Sequence, residues 1–382
     1  MTRIPDAADL TAALIRCPSV TPEEGGALTL LADELTAAGF ICQRVDRNGI
    51  PNLFARWGEK GAARSFGFNG HTDVVPPGDP ASWTHPPFSG HEQDGWIWGR
   101  GATDMKSGVA AFVAAAIGLV REAPPDGALI LTITGDEEGA GRDGTRALLD
   151  WMAANGEAMS VCLVGEPSNP DRMGEMIKIG RRGSITVHIV AKGLQGHAAY
   201  PHRVRNPLHA LVRLLNDLVT TPLDQGSAHF DPSGLQVTTI DCGNPASNVV
   251  PEKARATLNI RFNDLHSAAS LEAMIRAKAE ALSAETGVAF TLETDVSGDS
   301  FLTEPGPFVD LVAGVAREET GLDPVLSTSG GTSDARFVKD HCPVLEFGLV
   351  GHFMHQVDER VPAEQVRQLA RIYRRILERY FA

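Results

Sequence analysis

Three short apolar runs in this chain each end on residues that carry chemistry, and this pattern constrains the fold more than any other feature. Ser65-Phe-Gly-Phe-Asn-Gly runs into His71, and Ala128-Leu-Ile-Leu-Thr-Ile-Thr-Gly runs into Asp136-Glu137-Glu138. Met159-Ser-Val-Cys-Leu-Val-Gly runs into Glu166. Each run reads as a buried strand, and helical patterns at 6–16, 26–38, 107–122 and 144–155 alternate with them. Strands alternating with helices predict an α/β sheet covered on both faces. In such sheets reactive groups collect just past the carboxyl ends of strands, where all three polar clusters fall.

The middle of the chain has a different order. Strands are expected at 185–191, 235–241, 254–262 and 288–296, with helices at 207–219 and 267–285. That β-α-β-β-α-β order is ferredoxin-like and can close its own small core. A helix at 306–320, a strand at 343–348 and a long helix at 361–380 then resume the first pattern. The expected organisation is an α/β domain built from residues 1–181 and 297–382, interrupted by an inserted α+β domain over 182–296. The sequence contains no internal repeat and no low-complexity segment.

Composition narrows the function. At 382 residues the chain exceeds one ordinary core, and 43% hydrophobic with 21% charged residues is the mix of a soluble globular protein. The longest apolar stretch, around 109–120, is too short to span a bilayer, and the first residues lack an apolar signal core. Five scattered cysteines without C-x-x-C spacing argue against a disulfide framework or a cysteine zinc site. The expected compartment is the cytoplasm. Net charge is 34 − 48 = −14, which disfavours a nucleic-acid surface but leaves room for an anionic small substrate in a locally basic cleft.

Five segments carry candidate chemistry. In His71-Thr72-Asp73 an imidazole and a carboxylate two residues apart on extended chain can meet, as a metal-bound histidine and its supporting carboxylate do. Read alone, the segment is better taken as a surface histidine beside a turn aspartate. Asp104 lies where a glycine-rich loop enters a helix, so it is either an N-terminal cap or a carboxylate able to bridge two cations. Glu137 and Glu138 repel each other unless a cation or proton compensates; one can ligate a metal while the other holds a water. A solvated acidic turn is the bland alternative. Glu166 closes a buried strand, and Gly351-His352-Phe-Met-His355 offers two histidines between which spacing does not choose. His188 and His209 read as packing or surface residues. His85, His91, His229, His266 and His341 have no local partner in sequence. The donors are imidazoles and carboxylates without thiolate, a set suited to borderline divalent ions, zinc above all.

In this order the motifs resemble the di-zinc aminoacylase/carboxypeptidase superfamily, and the resemblance covers essentially the whole chain. Its further markers are Gly70-His-Thr-Asp-Val-Val-Pro-Pro-Gly78, Gly180-Arg-Arg-Gly-Ser184, Gln195-Gly-His197-Ala-Ala-Tyr200-Pro-His and Gly330-Gly-Thr-Ser-Asp-Ala-Arg-Phe337. The resemblance implies a zinc-peptidase-like catalytic domain carrying an inserted ferredoxin-like dimerisation domain. It implies two zinc ions per chain, with cobalt able to substitute, bridged by Asp104. One ion would also take His71 and Glu166, the other Glu138 and His355. Glu137 would be the general base, Asp73 would support His71, and His197 would stabilise the oxyanion, completing the partner's site in a homodimer. Substrate contacts fall on Arg181, Ser184, Tyr200, Asn248, Arg261, Gly331 and Thr332. The peptide after Asp104 would be cis.

The implied reaction is hydrolysis of N-succinyl-L,L-2,6-diaminopimelate to succinate and L,L-diaminopimelate. Arg181, Arg182 and Arg261 would supply planar donors for the carboxylates of such a substrate. Deacetylation of N-acetylornithine is the nearest competing reading, followed by dipeptidase or carboxypeptidase activity; a non-catalytic metal-dependent binding protein is the remote one. One departure stands out: Gly351-His-Phe-Met precedes His355 where the family has Asn-Ser/Ala-Thr-Ile, so an asparagine contact to substrate is missing or replaced.

Overall fold

The computed structural model describes residues 3–382. It divides into two units. The first runs up to Ile179 and takes in Thr303–Ser327 and Ser333–Ala382; the second comprises Gly180–Leu302 with Thr328–Thr332. The expected insertion at 182–296 lies inside the second unit, and the Thr328–Thr332 segment joins it from a stretch expected to belong wholly to the catalytic part.

The first unit is built on an eight-stranded sheet. Its strand order is Ile41–Arg44, Asn52–Trp57, Ala128–Thr134, Ser65–His71, Val161–Val164, Val344–Glu346, Met176–Lys178 and Val325–Ser327. Ser65–His71 lies parallel to both Ala128–Thr134 and Val161–Val164, with His71 opposite Thr134 and Asn69 opposite Val164. These three strands are buried along their whole length, as strands covered on both faces must be. Short strands such as Asn52–Trp57, Met176–Lys178 and the Trp96–Trp98 hairpin were not expected from periodicity. Runs this short give too little pattern to separate strand from loop.

The helix Lys106–Glu122 is buried on every side through Val120, which accounts for its alanine and glycine content. Its approach to the strand ends depends on missing side chains. A Cβ on Gly108 would sit 2.4 Å from the Gly165 carbonyl oxygen, and one on Gly165 would meet the Phe68 ring at 2.6 Å. Glycine at both positions lets the helix start, and Asp104 just before it, come down onto the sheet. The helices Ala7–Ile15 and Ala363–Phe381 pack against the same helix.

The second unit is a four-stranded antiparallel sheet in the order Gly234–Asp241, Lys253–Phe262, Gly183–Lys192, Ala289–Gly298. With the helices Pro207–Thr220 and Ala268–Thr286 it has the ferredoxin-like order. Asn206 caps the first helix through Leu208 N–H, with proline at the first turn, and Ser267 with Ser270 forms a capping box on the second. Ile185, Val187, Ile189 and Ala191 alternate inward to meet Leu211, Leu214, Leu258, Ile260, Leu271 and Ile275 in one apolar core. His188 faces outward on the same strand, and His209 is exposed. No helix among the described residues is long and apolar enough to cross a membrane.

Candidate active site

The parallel strand ends bring His71, Glu137 and Glu166 together in the first unit. His71 Nε2 lies 3.2 Å from Asp104 Oδ1, 3.8 Å from Glu166 Oε1 and 4.0 Å from Glu137 Oε2. The other oxygen of Asp104 faces a second imidazole: Oδ2 is 3.3 Å from His355 Nε2, which also lies 2.8 Å from Glu138 Oε1. Asp104 therefore presents one oxygen to each of two groups. His71, Asp104 and Glu166 form the first, and Asp104, Glu138 and His355 the second, each with its donor atoms within 4.8 Å of one another. The neighbouring glutamates diverge as adjacent residues do, Glu138 toward His355 and Glu137 toward His71. The Asp104-Met105 peptide is cis. His352, the other histidine of the late loop, pairs instead with Asp171 at 2.8 Å.

Asp73 lies beside His71 and also holds the glutamate turn. It is its main-chain carbonyl that faces His71 Nδ1, at 2.8 Å, while the carboxylate stands at 3.6 Å. That carboxylate accepts the N–H groups of Glu137 (3.3 Å) and Glu138 (3.1 Å) and the Thr21 hydroxyl (2.8 Å). The chain has left the strand at His71, so the two-residue alternation no longer applies, and Asp73 holds the turn that carries both glutamates. The carbonyl still fixes the imidazole, because an Nδ1–H that donates to it leaves Nε2 free to ligate.

The electrostatics fit a cation site. Burial pushes the Glu137 carboxyl well above its usual range, with Asp334, Asp104 and Glu138 adding to it against the pull of His71. Burial lifts Glu166 in the same way, reinforced by Asp104 and Glu137. Burial works against protonation of His71, but the hydrogen bond to Asp104 and the surrounding carboxylates hold it well above the imidazole range. Hydrogen bonds to Asp104 and Glu138 push His355 up to about 10. These shifts mark a crowd of carboxyls around two imidazoles, a charge that divalent ions would balance. Two imidazole nitrogens and three carboxylates are the donors that zinc-like ions take.

The remaining sequence-predicted residues lie in the second unit, in two groups. Arg181 is buried; its Nη1 donates to the carbonyls of Ser329 (3.3 Å) and Gly331 (3.2 Å), so it holds the turn that includes Thr332. Ser184 pairs with Arg261 across the sheet, and Arg261 is held below its usual range by burial and by the nearby charge of Arg182. The second group centres on His197, whose ring lies 5.6 Å from that of the half-exposed Tyr200. The N–H of Ala198 donates to the Asn248 carbonyl at 2.9 Å, which brings Asn248 beside it. The Ala199 N–H donates to His197 Nδ1 at 3.1 Å, so a neutral ring carries its proton on Nε2 and presents a donor.

A model of peptidase family M20/M25/M40 matches residues 67–379. The chain belongs to that family. It is 81% identical over 383 residues, covering 100% of both chains, to a protein of Paracoccus denitrificans named succinyl-diaminopimelate desuccinylase. A Cereibacter sphaeroides protein of the same name is 66% identical over 376 residues, 98% of this chain and 99% of that one. Among solved structures, an M20 family metallo-carboxypeptidase from Sulfolobus solfataricus superposes with a TM-score of 0.79 at 17% identity, covering 98% of this chain and 99% of that one. A dinuclear metal binding peptidase of the M20 family from Bacillus subtilis gives 0.73 at 16%, with 97% of each chain covered. At such identities the likeness is one of fold. As an M20 member the chain is a metal-dependent hydrolase.

Two features of this M20 chain escaped the sequence reading. Asp334, fully buried with a carboxyl pushed up to about 6 by burial against the opposing pull of Arg336, bears on Glu137. Its place inside the Gly330–Phe337 marker was the available signal. His266 does have a carboxylate partner, Asp224 at 3.1 Å, but it lies 42 residues away along the chain. The departure before His355 is also accounted for in part: Phe353 stacks under the Arg360 guanidinium, 4.0 Å from the ring centroid, and meets Trp96 edge-on.

Proposed function

We propose that this chain hydrolyses N-succinyl-L,L-2,6-diaminopimelate to succinate and L,L-diaminopimelate, a step toward lysine, with two zinc ions per chain that cobalt can replace. The observation that carries the chemistry is Asp104, with one oxygen turned to each donor group and Glu137 beside it. The substrate rests on the 81% full-length identity to a relative of that name.

His71, Asp104 and Glu166 would hold one ion and Asp104, Glu138 and His355 the other. Bound there, such ions polarise a carbonyl and favour deprotonation of water. Glu137 takes the proton of the attacking water and returns it to the departing amine; a carboxyl lifted by burial suits both directions of transfer. Asp73 keeps Glu137 and Glu138 apart by holding their N–H groups. His197 donates through Nε2–H to the developing oxyanion. Arg181 and Arg261, with Ser184, Tyr200, Asn248 and the Gly331-Thr332 turn, bind the substrate's carboxylates and amines. The family resemblance supports a homodimer, which light scattering tests as twice the 40.7 kDa chain mass.

The deciding experiment is a panel of N-succinyl and N-acetyl amino acids, assayed after chelation and after zinc is restored. Turnover should require the metal and favour the succinylated diaminopimelate. Full activity in metal-free protein, or a preference for N-acetylornithine, would overturn the reading.

A further inference from the structure

Behind Asp104 lies an ion pair that the proposed chemistry does not use. Glu359 is fully buried and Arg100 is 3% exposed. Glu359 Oε1 accepts the N–H of Thr103 at 2.8 Å and of Asp104 at 3.1 Å, while Oε2 accepts from Arg100 Nη1 at 2.6 Å. Arg100 in turn donates to the carbonyls of Gln356 (3.1 Å) and His355 (3.5 Å), and also to that of Pro76 (3.5 Å). Gly99 N–H donates to the Glu359 carbonyl at 2.8 Å, and the Thr103 hydroxyl donates to that of Arg360 at 3.1 Å.

We infer that Glu359, together with Arg100, is a positioning residue for both donor groups: it fixes the backbone at Asp104 and, through Arg100, the loop carrying His355. Among the described residues the hydrogen-bond partners of the Asp104 carboxylate are two imidazoles, so its placement depends on how its backbone is held. His355 has φ +63°, a left-handed conformation that a non-glycine residue keeps only where its surroundings impose it. The Arg100 guanidinium on its carbonyl is such a constraint. A buried ion pair costs desolvation and is often replaceable by apolar residues without loss of stability. Here, apart from the Pro76 carbonyl, the hydrogen bonds that the two side chains make beyond each other fall on the two backbone segments that deliver Asp104 and His355.

This inference rests on the ligand roles proposed above, and the experiment separates the two. Chelator-stripped chains are titrated with cobalt, followed by visible absorption and calorimetry, and the thermal midpoint of each metal-free chain is recorded. Glu359→Gln keeps the size of the side chain and removes its charge. It should weaken both cobalt-binding steps roughly ten- to hundredfold, because Asp104 belongs to both groups. Arg100→Lys keeps the charge but loses the planar fork on the His355 loop, and should weaken chiefly one step. KM should stay near the parent value in both. The inference is overturned if both variants bind cobalt as the parent does, or if they lose only thermal stability with cobalt affinity unchanged. If Glu359→Gln does not fold, Arg100→Lys decides by the same outcomes. A parent chain that binds no cobalt would refute the ligand roles instead.

Discussion

In the first unit the ends of three parallel strands present His71, Glu137 and Glu166 to one another. In the second, four antiparallel strands bury an apolar core and leave His197, Tyr200 and Arg261 outside it. The difference follows from strand direction. Parallel neighbours all end on the same side, so the residue after each strand meets its counterparts, and polar groups can be concentrated there without disturbing the core. Antiparallel neighbours end on opposite sides, and side chains meet across the ladder, as those of Ser184 and Arg261 do. One unit therefore carries an electrostatic burden that a cation would relieve, while the other has a self-sufficient core.

The sharpest way to break that contrast is at the adjacent glutamates. Glu137→Gln should lower turnover by roughly 10²–10⁴-fold while metal content is retained, because the role proposed for Glu137 is to move a proton. Glu138→Ala should lose metal, because Glu138 faces His355. Metal analysis giving the reverse would mean that the two roles are exchanged.

In the second unit a smaller effect is expected. Arg181→Ala should raise KM for the succinylated substrate by about tenfold or more, the value of a charge-assisted hydrogen bond, and change KM for an acetylated analogue much less. Equal losses on both substrates would assign Arg181 to holding the Ser329–Gly331 turn and nothing else.

The smallest effect sharpens the comparison by avoiding the site altogether. Asp224 in the second unit accepts Gly226 N–H and Asn263 Nδ2 at 2.7 Å and lies 3.1 Å from His266. Burial opposes its ionisation, but hydrogen bonds from Ser233, Gly226 and Asn263 pull its carboxyl down to about 2. A depressed carboxyl stabilises the fold fully above its unfolded value and loses that contribution as pH falls through about 2. Asp224→Asn should therefore cost about 1–2 kcal/mol at neutral pH, read from urea midpoints. The gap to the parent should narrow in acid, and chelation should leave it unchanged. A gap that stays constant down to pH 2 would mean that Asp224 acts through shape rather than charge.

Much of this was legible in the sequence because it is local. Hydrophobic period gave the long helices and the buried strands, and their alternation placed His71, Glu137 and Glu166 at the carboxyl ends of three strands; that those strands are neighbours came from the tertiary structure. The inserted β-α-β-β-α-β order was readable for the same reason, since 3.6- and 2-residue periods survive in sequence when one face is buried. The family likeness then supplied His355 over His352, which spacing could not.

Only the tertiary structure decided what depends on distant segments meeting. It brought the Asp73 carboxylate onto the N–H groups of the glutamate turn, paired His266 with Asp224, and joined Thr328–Thr332 to the second unit. It also set Glu359 behind Asp104 from 255 residues away. Periodicity encodes which face of an element is buried, because that is a property of neighbours in the chain. Which buried carboxylate accepts which N–H is fixed only once packing has brought the two together, and no local pattern records it.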